Sequence, residues 1–285
     1  MQWYPAPAKL NLFLHVLGRR DDGYHLLQTV FRLIDRSDRV GIEVTRAGEI
    51  RRIDETPGVE PESDLCLRAA RLLREAAIAR LGPEAATLGV EIGLEKNLPI
   101  GGGLGGGSSD AATVLLVLNR LWGVGLAREE LMALGLRLGA DVPVFLFGES
   151  ALGEGVGERL TPLSLAPAWY LVLVPQVSVS TKEIFSSGAL TRDTKPLKML
   201  PFLPLSGKND LQVVVTALYP AVAEHLEWLS KHGDARMTGS GACVFAEFAT
   251  EAQARAVEAM LQGGMRGFVA RGLDRHPLHQ WAEGG

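Results

Sequence analysis

The chain has 285 residues, of which 47% are apolar and 22% charged, as is typical of a globular protein with one large or two ordinary domains. A net charge of −4 excludes the basic surface of a nucleic-acid-binding protein, and no apolar run reaches the ~18 residues of a membrane helix. The two cysteines, Cys66 and Cys243, make no disulfide framework and have no metal-ligand spacing, so we expect buried thiols and a reducing, cytoplasmic location.

The first predicted element is a strand over residues 8–17, in which leucines alternate with a second face that carries Lys9 and Asn11. A lysine on such a face is either solvated at a sheet edge or part of a site, and the pattern leaves both interpretations open. A turn then leads to Tyr24 and His25. An aromatic ring and an imidazole after a turn are by themselves more typical of an ordinary surface.

Further strands are predicted at 26–34, 38–45 and 49–53, then a helix over 63–79 and a strand at 90–95.

The most informative segment covers residues 99–110 and reads Pro-Ile-Gly-Gly-Gly-Leu-Gly-Gly-Gly-Ser-Ser-Asp. So many glycines cost backbone entropy on folding, which indicates that they serve positive φ angles and the close approach of a ligand. A helix is predicted directly after them, with Ser108 or Ser109 as its N-cap. Because a helix N-terminus offers unpaired N–H groups and a positive dipole end, we expect a phosphate group to bind there.

Other kinds of glycine-rich segment fit less well. Gly101, Gly103 and Gly106 satisfy the dinucleotide pattern G-x-G-x-x-G, but residues 121–130 read as a helix end and a new helix start. The dinucleotide fold instead requires a strand with a terminal acid about 20 residues on. A Walker A loop requires a lysine after its last glycine, and none is present. A flexible linker would have polar flanks, whereas these flanks are apolar.

A helix predicted over 128–138 is followed by Gly-Ala-Asp-Val-Pro, which places Asp141 before a proline-containing apolar segment. An aspartate there is a common helix N-cap. A catalytic carboxylate would occupy the same place, because a helix start lets a carboxylate reach into a cleft. The pattern leaves both roles open.

The second half mixes strands and helices without strict alternation, which indicates an α+β fold. Glycines in residues 150–162 predict a hairpin or linker there, so we expect two units, 1–155 and 156–285. The other predicted elements are a strand at 169–174, helices from 180, at 209–219 and at 221–231, a strand at 243–248, a helix at 251–262 and a strand at 267–271.

Two segments of the second half have ambiguous patterns. Ser180 and Glu183 predict a capping box at the start of a helix that contains Phe185, which is nearly as well explained as a core residue. Gly239 and Ser240 lie in a stretch of small residues before a strand. An ordinary hairpin turn is the favoured interpretation of that stretch alone.

The glycine-rich segment resembles the ATP-binding sequence P-x-x-x-G-L-G-S-S-x-A of the GHMP kinases. The resemblance implies a two-domain α+β fold with the active site in the cleft between the domains, and ATP as a substrate. It implies an ATP site made of Pro99, Ile100, Gly101, Gly102, Gly103, Leu104, Gly105, Gly106, Gly107, Ser108 and Ser109, with Lys96 as a further contact. Lys96 is otherwise explained as a solvated basic residue.

Three further motifs follow the order of this family. The Ala-Lys-Leu-Asn-Leu segment resembles the family's first motif, which implies that Lys9 is catalytic and Asn11 lines the active site. Gly-Ala-Asp-Val-Pro resembles the motif whose aspartate is the general base, a role that falls on Asp141. Met-Thr-Gly-Ser-Gly resembles M-S-G-S-G, which supports nucleotide and substrate and implies binding by Gly239 and Ser240.

The segment around Tyr24 and His25 resembles R-x-D-G-Y-H-x-L-x-T of the GHMP kinases that act on 4-(cytidine 5'-diphospho)-2-C-methyl-D-erythritol. The resemblance implies that Tyr24 stacks on cytosine, that His25 hydrogen-bonds it, and that Phe185 supplies a second aromatic ring. It implies phosphorylation of the 2-hydroxyl group of that compound in non-mevalonate isoprenoid precursor biosynthesis, with Mg²⁺ accompanying ATP and no metal ligand assigned. Asp64 departs from the asparagine that the family often has near adenine.

These features predict a kinase with two small-molecule substrates, no nucleic-acid or membrane partner, and a monomeric or weakly dimeric state. Another GHMP kinase, such as a homoserine kinase, is the nearest alternative, and it lacks the Tyr-His pair. A dinucleotide-dependent oxidoreductase is disfavoured by the missing strand and acid. A non-catalytic nucleotide-binding module is disfavoured by Lys9 and Asp141.

Overall fold

We describe the fold from a computed structural model, which defines residues 1–54, 62–197 and 207–283. Its strands are β1 (Gln2–Arg19), β2 (His25–Thr45), β3 (Ile50–Arg52), β4 (Gly89–Glu95), β5 (Ala151–Gly155), β6 (Arg159–Pro162), β7 (Trp169–Leu173), β8 (Ala235–Met237), β9 (Val244–Phe248) and β10 (Gly267–Leu273). Its helices are α1 (Leu65–Leu81), α2 (Gly106–Leu121), α3 (Arg128–Leu136), α4 (Val142–Phe147), α5 (Thr181–Ser186), α6 (Gln212–Leu218), α7 (Pro220–Ser230), α8 (Glu251–Glu258) and α9 (His279–Glu283).

One sheet connects the two halves of the chain. Its strand order is β3-β4-β2-β10-β7-β9-β8, with β1 and β5 also paired to β2, and β6 paired to β5. The antiparallel pair of β10 with β2 joins strands from the second half to strands from the first. Mixed, mostly antiparallel pairing with helices confirms the predicted α+β class, whereas the boundary near residue 155 stays a prediction.

The long hairpin of β1 and β2 differs from the prediction. The sequence predicts two strands, 26–34 and 38–45, where β2 is one strand of 21 residues. The polar residues between these ranges do not make a turn, because a register shift opposite Pro7 and Ala8 absorbs them as a bulge. β1 is also longer than predicted, and residues 7–16 are buried on both of its faces. Its polar side chains are therefore enclosed within the protein.

Some helices begin with a side chain that caps the helix N-terminus, and others do not. The carboxylate of Asp64 accepts the N–H groups of the second and third helical residues of α1, over 2.8 and 3.1 Å. The expectation that Ser108 or Ser109 caps α2 is wrong. Gly105 is the N-cap, and its left-handed conformation starts the helix three residues before Ser109. The hydroxyl group of Ser109 instead donates to the carbonyl oxygen of Pro7 over 2.7 Å.

The predicted start of α5 is correct, but only half of its capping box forms. The hydroxyl group of Ser180 accepts the N–H group of Glu183 over 3.4 Å. The carboxylate of Glu183 accepts a hydrogen bond from the hydroxyl group of Tyr219 over 3.0 Å. That side chain therefore ties α5 to the region of α6 and α7.

Three apolar clusters hold the layers together. The first packs α1, α2 and α4 against the sheet of the first half, and the second packs α6 and α7 against β7 and β9. The third joins Leu10 and Phe13 of β1 to Tyr170 and Phe245 of the second half. Because β1 is held from both halves, the polar side chains that interrupt it have fixed positions.

Residues 150–162 form a hairpin, in which β5 pairs antiparallel with β6. Cys66 and Cys243 are free and buried, as expected, and burial raises the pKa of Cys243 to about 12. Among the residues that the structure describes, no helix combines the length and apolar character that a membrane span requires.

Candidate active site

The glycine loop, residues 99–105, leads directly into α2. Gly101, Gly103 and Gly105 have φ angles of 70°, 75° and 72°, in the left-handed region that favours glycine. A Cβ atom on Gly103 would lie 2.2 Å from the carbonyl oxygen of Thr238. The loop therefore requires glycine both for its own conformation and for its contact with the small-residue turn, residues 237–243.

Backbone N–H groups hold the glycine loop from two sides. That of Lys9 in β1 donates to the carbonyl oxygen of Leu104 over 3.0 Å. Those of Ala242 and Cys243 in the small-residue turn donate to two further loop carbonyls, over 3.3 and 3.1 Å. The loop is thus positioned by main-chain contacts, and its position does not depend on side chains of its own.

The first turn of α2 follows the loop, and N–H groups in a first helical turn have no acceptor within the helix. A phosphate group at this end would meet those donors and the positive end of the helix dipole. The hydroxyl group of Ser108 is free to take part, since Ser108 lines the cavity described below. ATP-binding roles for the loop and for Ser108 stay predictions, and Ser109 has its hydroxyl group engaged elsewhere.

Lys9 connects the glycine loop to the candidate base. Its side chain is 2% exposed, and its ammonium group donates to the carbonyl oxygen of Gly103 over 3.0 Å. The same Nζ atom lies 2.5 Å from Oδ1 of Asn11 and 3.3 Å from Oδ2 of Asp141. The interpretation of Lys9 as a solvated edge residue is wrong, because β1 is covered on both faces.

Asn11 is the second polar residue of β1 at the site. Its amide group donates to the hydroxyl group of Thr29 over 2.8 Å, and its backbone N–H donates to the hydroxyl group of Thr238 over 2.9 Å. Its side-chain oxygen faces the Lys9 ammonium group. These contacts orient Lys9 and connect β1 to the small-residue turn, while substrate binding by Asn11 stays a prediction.

Asp141 precedes α4 directly but does not cap it. No hydrogen bond joins its side chain to the helix N-terminus, and the residue itself has a helical conformation. The carboxylate instead faces Lys9, and its side chain is 39% exposed. A carboxylate that is paired on one side and open on the other can accept a proton from a bound hydroxyl group.

A cavity of about 280 Å³ opens beside these residues. Its lining includes Lys9, Asn11, Gly103, Ser108, Asp141, Phe185, Gly239 and Ser240. The structure therefore brings together residues from four separate sequence motifs. A larger cavity of about 770 Å³, beside Arg80 and Arg120, contains none of the expected site residues, so the chemistry favours the smaller one.

The small-residue turn is held by Asn209, which the sequence reasoning missed. The Asn209 amide group donates to the carbonyl oxygens of Met237 and Gly239, over 2.8 Å in both cases. The hydroxyl group of Ser240 contacts that of Thr181, over 2.7 Å. The turn connects the antiparallel hairpin of β8 and β9, as its sequence alone indicates, and it also forms part of the cavity wall.

The expected cytosine-binding residues lie at the start of β2 and in α5. Tyr24 is 62% exposed, whereas His25 is buried, with its ring centroid 4.9 Å from that of Phe185. Arg192 donates from Nε to Nε2 of His25 over 3.0 Å, and from Nη2 to the carbonyl oxygen of Phe185 over 2.9 Å. Arg192 thus joins two of the expected recognition residues.

This contact fixes the form of the His25 ring. A guanidinium group can only donate, so Nε2 must accept and Nδ1 carries the proton. Burial, then the charges of Arg192 and Arg19, lower the pKa of His25. The ring is therefore a neutral imidazole whose remaining group is an N–H donor.

Lys96 is only partly exposed and pairs with two acidic side chains. Its ammonium group contacts the carboxylate of Asp38 and lies 2.8 Å from that of Asp110. Burial raises the pKa of Asp110 to about 7, an effect that Lys96 opposes and Asp38 reinforces. A direct ATP contact for Lys96 stays a prediction and would require this buried cluster to rearrange.

Asp64 stabilises the start of α1. It caps α1 and pairs with Arg52 over 2.7 Å, with both side chains nearly buried. The acid that departs from the family pattern is thus neutralised within the fold, and its contact with adenine stays open.

Three supporting residues escaped the sequence reasoning: Thr238, Asn209 and Arg192. Each contacts a partner that is far away in sequence. Arg192 and His25, for example, are 167 positions apart. For Asn209, the polar run Lys-Asn-Asp before an apolar helix was a usable signal.

Comparison with family models identifies both halves of the chain. Residues 64–149 match the family described as GHMP kinases N terminal domain, and residues 198–266 match GHMP kinases C terminal.

Curated relatives match along nearly the whole length. The chain is 61% identical over 280 residues to the 4-diphosphocytidyl-2-C-methyl-D-erythritol kinase of Thiobacillus denitrificans, which covers 98% of both chains. It is 59% identical over 283 residues to the protein of that name from Nitrosospira multiformis, which covers 98% of this chain and 94% of the relative.

Solved structures give the same result at the level of fold. A crystal structure of 4-(cytidine 5'-diphospho)-2C-methyl-D-erythritol kinase matches with a TM-score of 0.77 at 35% identity, covering 95% of this chain and 99% of the other. A mevalonate kinase matches with a TM-score of 0.63 at 16% identity, covering 96% and 100%, which supports the fold alone.

Proposed function

The chain belongs to the GHMP kinases, in the family of 4-diphosphocytidyl-2-C-methyl-D-erythritol kinases, and on that premise we propose how it acts. It transfers the γ-phosphoryl group of ATP to the 2-hydroxyl group of 4-(cytidine 5'-diphospho)-2-C-methyl-D-erythritol, a step of non-mevalonate isoprenoid precursor biosynthesis. One observation supports the mechanism most directly. The Lys9 ammonium group contacts the glycine loop through Gly103 and lies 3.3 Å from Asp141.

Phosphoryl transfer requires positioning and charge stabilisation more than covalent participation by the protein. The N–H groups at the start of α2 would hold the phosphates of ATP, and the backbone anchoring of the loop keeps those donors in place. The loop itself carries no cationic side chain. Lys9 is the cation closest to it, so Lys9 would stabilise negative charge on the transferred group.

Asp141 would accept the proton of the substrate hydroxyl group. The hydroxyl oxygen then forms its bond to the γ-phosphorus, the bond from that phosphorus to the bridging oxygen of ADP breaks, and ADP leaves with the electron pair. Lys9 pairs with the Asp141 carboxylate over 3.3 Å and so holds it in the cavity for this role. A base so placed contributes about 10²–10⁴-fold to the rate.

The cytosine ring would lie between the exposed Tyr24 and the ring of Phe185, at the end of the cavity. The N–H donor of His25 suits the N3 acceptor of cytosine. Uracil carries an N–H group at position 3, so it would place one donor against another. The neutral form of His25 that Arg192 imposes thus favours cytidine over uridine.

Mg²⁺ would accompany ATP, because the metal ions of kinases neutralise phosphate charge and require few protein ligands. Among the described residues, no group of three histidine, cysteine or acidic side chains could hold a metal by itself. Ser108 and Asp141 line the cavity and offer the oxygen ligands that Mg²⁺ prefers. The metal would supply charge neutralisation on the phosphates.

The decisive test measures ADP release by the purified protein with ATP, Mg²⁺ and the cytidine substrate. Homoserine, mevalonate and the uridine analogue of the substrate serve as alternative acceptors. We expect turnover with the cytidine compound, a lower kcat/KM with its uridine analogue, and no turnover with homoserine or mevalonate. Equal ADP release with homoserine or mevalonate would contradict the proposed substrate.

A further inference from the structure

The C-terminal brace, residues 274–282, runs beside the segment that follows α4. The N–H group of His276 donates to the carbonyl oxygen of Gly148 over 2.8 Å, and Arg275 pairs with Glu149 over 3.2 Å. Residue Gly148 is the C-cap of α4. The brace thus contacts the chain directly where α4 ends.

The brace is itself fixed to the first half of the molecule. Leu278 is buried in the first apolar cluster. The ring of Trp281 lies 5.4 Å from that of Tyr4, and the guanidinium group of Arg120 lies 4.5 Å from the Trp281 ring. The brace is therefore a firm support, not a loose terminal segment.

Arg128 of α3 connects the brace to α4. Its Nη1 atom donates to the carbonyl oxygens of Leu146 and Phe147, over 3.0 and 2.8 Å, at the C-terminal end of α4. The same atom lies 2.9 Å from Nδ1 of His279, which accepts because a guanidinium group only donates, so the two hydrogens of Nη1 are shared among three acceptors. Nε2 of His279 faces the carboxylate of Glu149 over 3.5 Å. His279 thus fixes the guanidinium group that holds α4.

The other end of α4 lies at the active site. Asp141 precedes the helix and faces Lys9. One turn further, the ring of Phe145 is so close to the glycine loop that a Cβ atom on Gly105 would lie 2.9 Å from it. A helix of six residues is only about 9 Å long. A shift at its C-terminal end would therefore reach both the loop and the carboxylate.

We propose that Arg128 and His279 are positioning residues of the phosphoryl-transfer reaction, which hold α4 so that Asp141 stays within reach of Lys9 and the substrate hydroxyl group. This inference rests on the proposed function of Asp141. Neither Arg128 nor His279 lines the 280 Å³ cavity of the candidate active site, so their effect reaches the reaction only through α4. A brace that merely closed the first apolar cluster would affect stability and leave turnover of the folded enzyme unchanged.

The test compares His279→Ala with His279→Asn. Asparagine offers an acceptor oxygen near the place of Nδ1, so it can keep the contact with Arg128, whereas alanine cannot. We expect His279→Ala to lower kcat roughly 10- to 100-fold with KM for both substrates little changed, as for a misplaced catalytic group. His279→Asn should restore most of the turnover, and His232→Ala is the matched control at a histidine distant from α4.

A double-mutant cycle checks the route of the effect. If the brace acts through Asp141, then His279→Ala should cost almost nothing in an Asp141→Asn background. A full additional loss of kcat in that background would overturn the proposal, as would unchanged turnover in folded His279→Ala. If His279→Ala does not fold, Arg128→Met replaces it, since methionine has no donor for the two carbonyls or for the imidazole.

Hydrogen exchange separates this proposal from the proposed function. We expect faster amide exchange in residues 142–147 of His279→Ala, measured in the free protein, while α6 and α7 exchange at wild-type rates. That result does not depend on the identity of the substrate. Wild-type exchange in α4 would overturn the positioning role, whereas failure of the wild type with the cytidine substrate would overturn the function alone.

Discussion

The two sides of the cavity are constructed differently. The phosphate side, the wall where we expect ATP to bind, is made of main chain: three loop glycines with positive φ, held by backbone hydrogen bonds from β1 and the small-residue turn. The base side, where we expect cytosine to bind, is made of side chains, with Tyr24 exposed and His25 held by Arg192. Phosphate groups are common to many substrates and are bound by N–H groups, whereas a nucleobase is distinguished by the donors and acceptors of particular side chains.

This difference predicts how each side responds to substitution. A Cβ atom on Gly103 would meet the backbone of the small-residue turn, so we expect substitution there to abolish activity. A change on the base side leaves the fold intact and should alter KM and the choice of base by graded amounts. Four substitutions test this contrast, from the largest expected effect to the smallest.

Gly103→Ala should abolish activity. The new Cβ atom would lie 2.2 Å from the carbonyl oxygen of Thr238, and alanine is strained at a φ of 75°. Gly123→Ala is the matched control, because Gly123 has a φ of 66° and open space around it. Both variants carry the conformational strain, so a difference in ADP release and ATP binding isolates the collision. Near-wild-type activity of Gly103→Ala would show that the loop tolerates movement.

Asp141→Asn should lower kcat by about 10²–10⁴-fold with a normally folded protein. The amide preserves the shape and can still accept a hydrogen bond, but it cannot take a proton. Steady-state kinetics and the unfolding midpoint give the result, with Asp234→Asn as a control at an exposed aspartate that pairs with Arg236. If Asp141 only orients the hydroxyl group, the asparagine variant will keep most of its turnover.

The two sides also differ in how far the sequence predicts them. The family resemblance assigns Lys9 and Asp141 to one active site, and the two side chains lie 3.3 Å apart; the glycine loop leads into a helix as expected. The predicted N-cap of that helix is wrong, because Gly105 takes this position. Phe145 and Lys9 pack closely around Gly105, and no local sequence pattern contains these contacts. The link from Arg192 to His25 depends on how α5 packs against β2, which only the folded chain defines.

Arg192→Gln should relax the choice of base. A glutamine amide can rotate to present either a donor or an acceptor to His25, so Nε2 is no longer forced to accept. We expect the ratio of kcat/KM for the cytidine substrate to that for its uridine analogue to fall roughly tenfold, as for one unsatisfied polar contact. Arg192→Lys can still donate to Nε2 and should retain the preference. An equal loss of preference in both variants would indicate that Arg192 acts only by supporting α5.

Asp110→Asn should change stability but hardly affect turnover, since Asp110 is buried with Lys96 and Asp38 beneath the phosphate side. The pKa of Asp110 is about 7 in the folded chain, against ~3.9 in the unfolded chain. Between these pH values the native state binds more protons, so the free energy of unfolding decreases as pH rises from 4 to 7.

Asparagine cannot ionise, and it can accept from Lys96 while donating to Asp38. We therefore expect Asp110→Asn to be more stable than the wild type at pH 8, by an amount on the order of 2 kcal/mol, and to lose this advantage at pH 5. Urea unfolding at the two pH values measures the difference. The same stability gap at both pH values would mean that Asp110 is not the titrating group. A large loss of kcat in this variant would instead reveal that charge, and not only main chain, shapes the phosphate side.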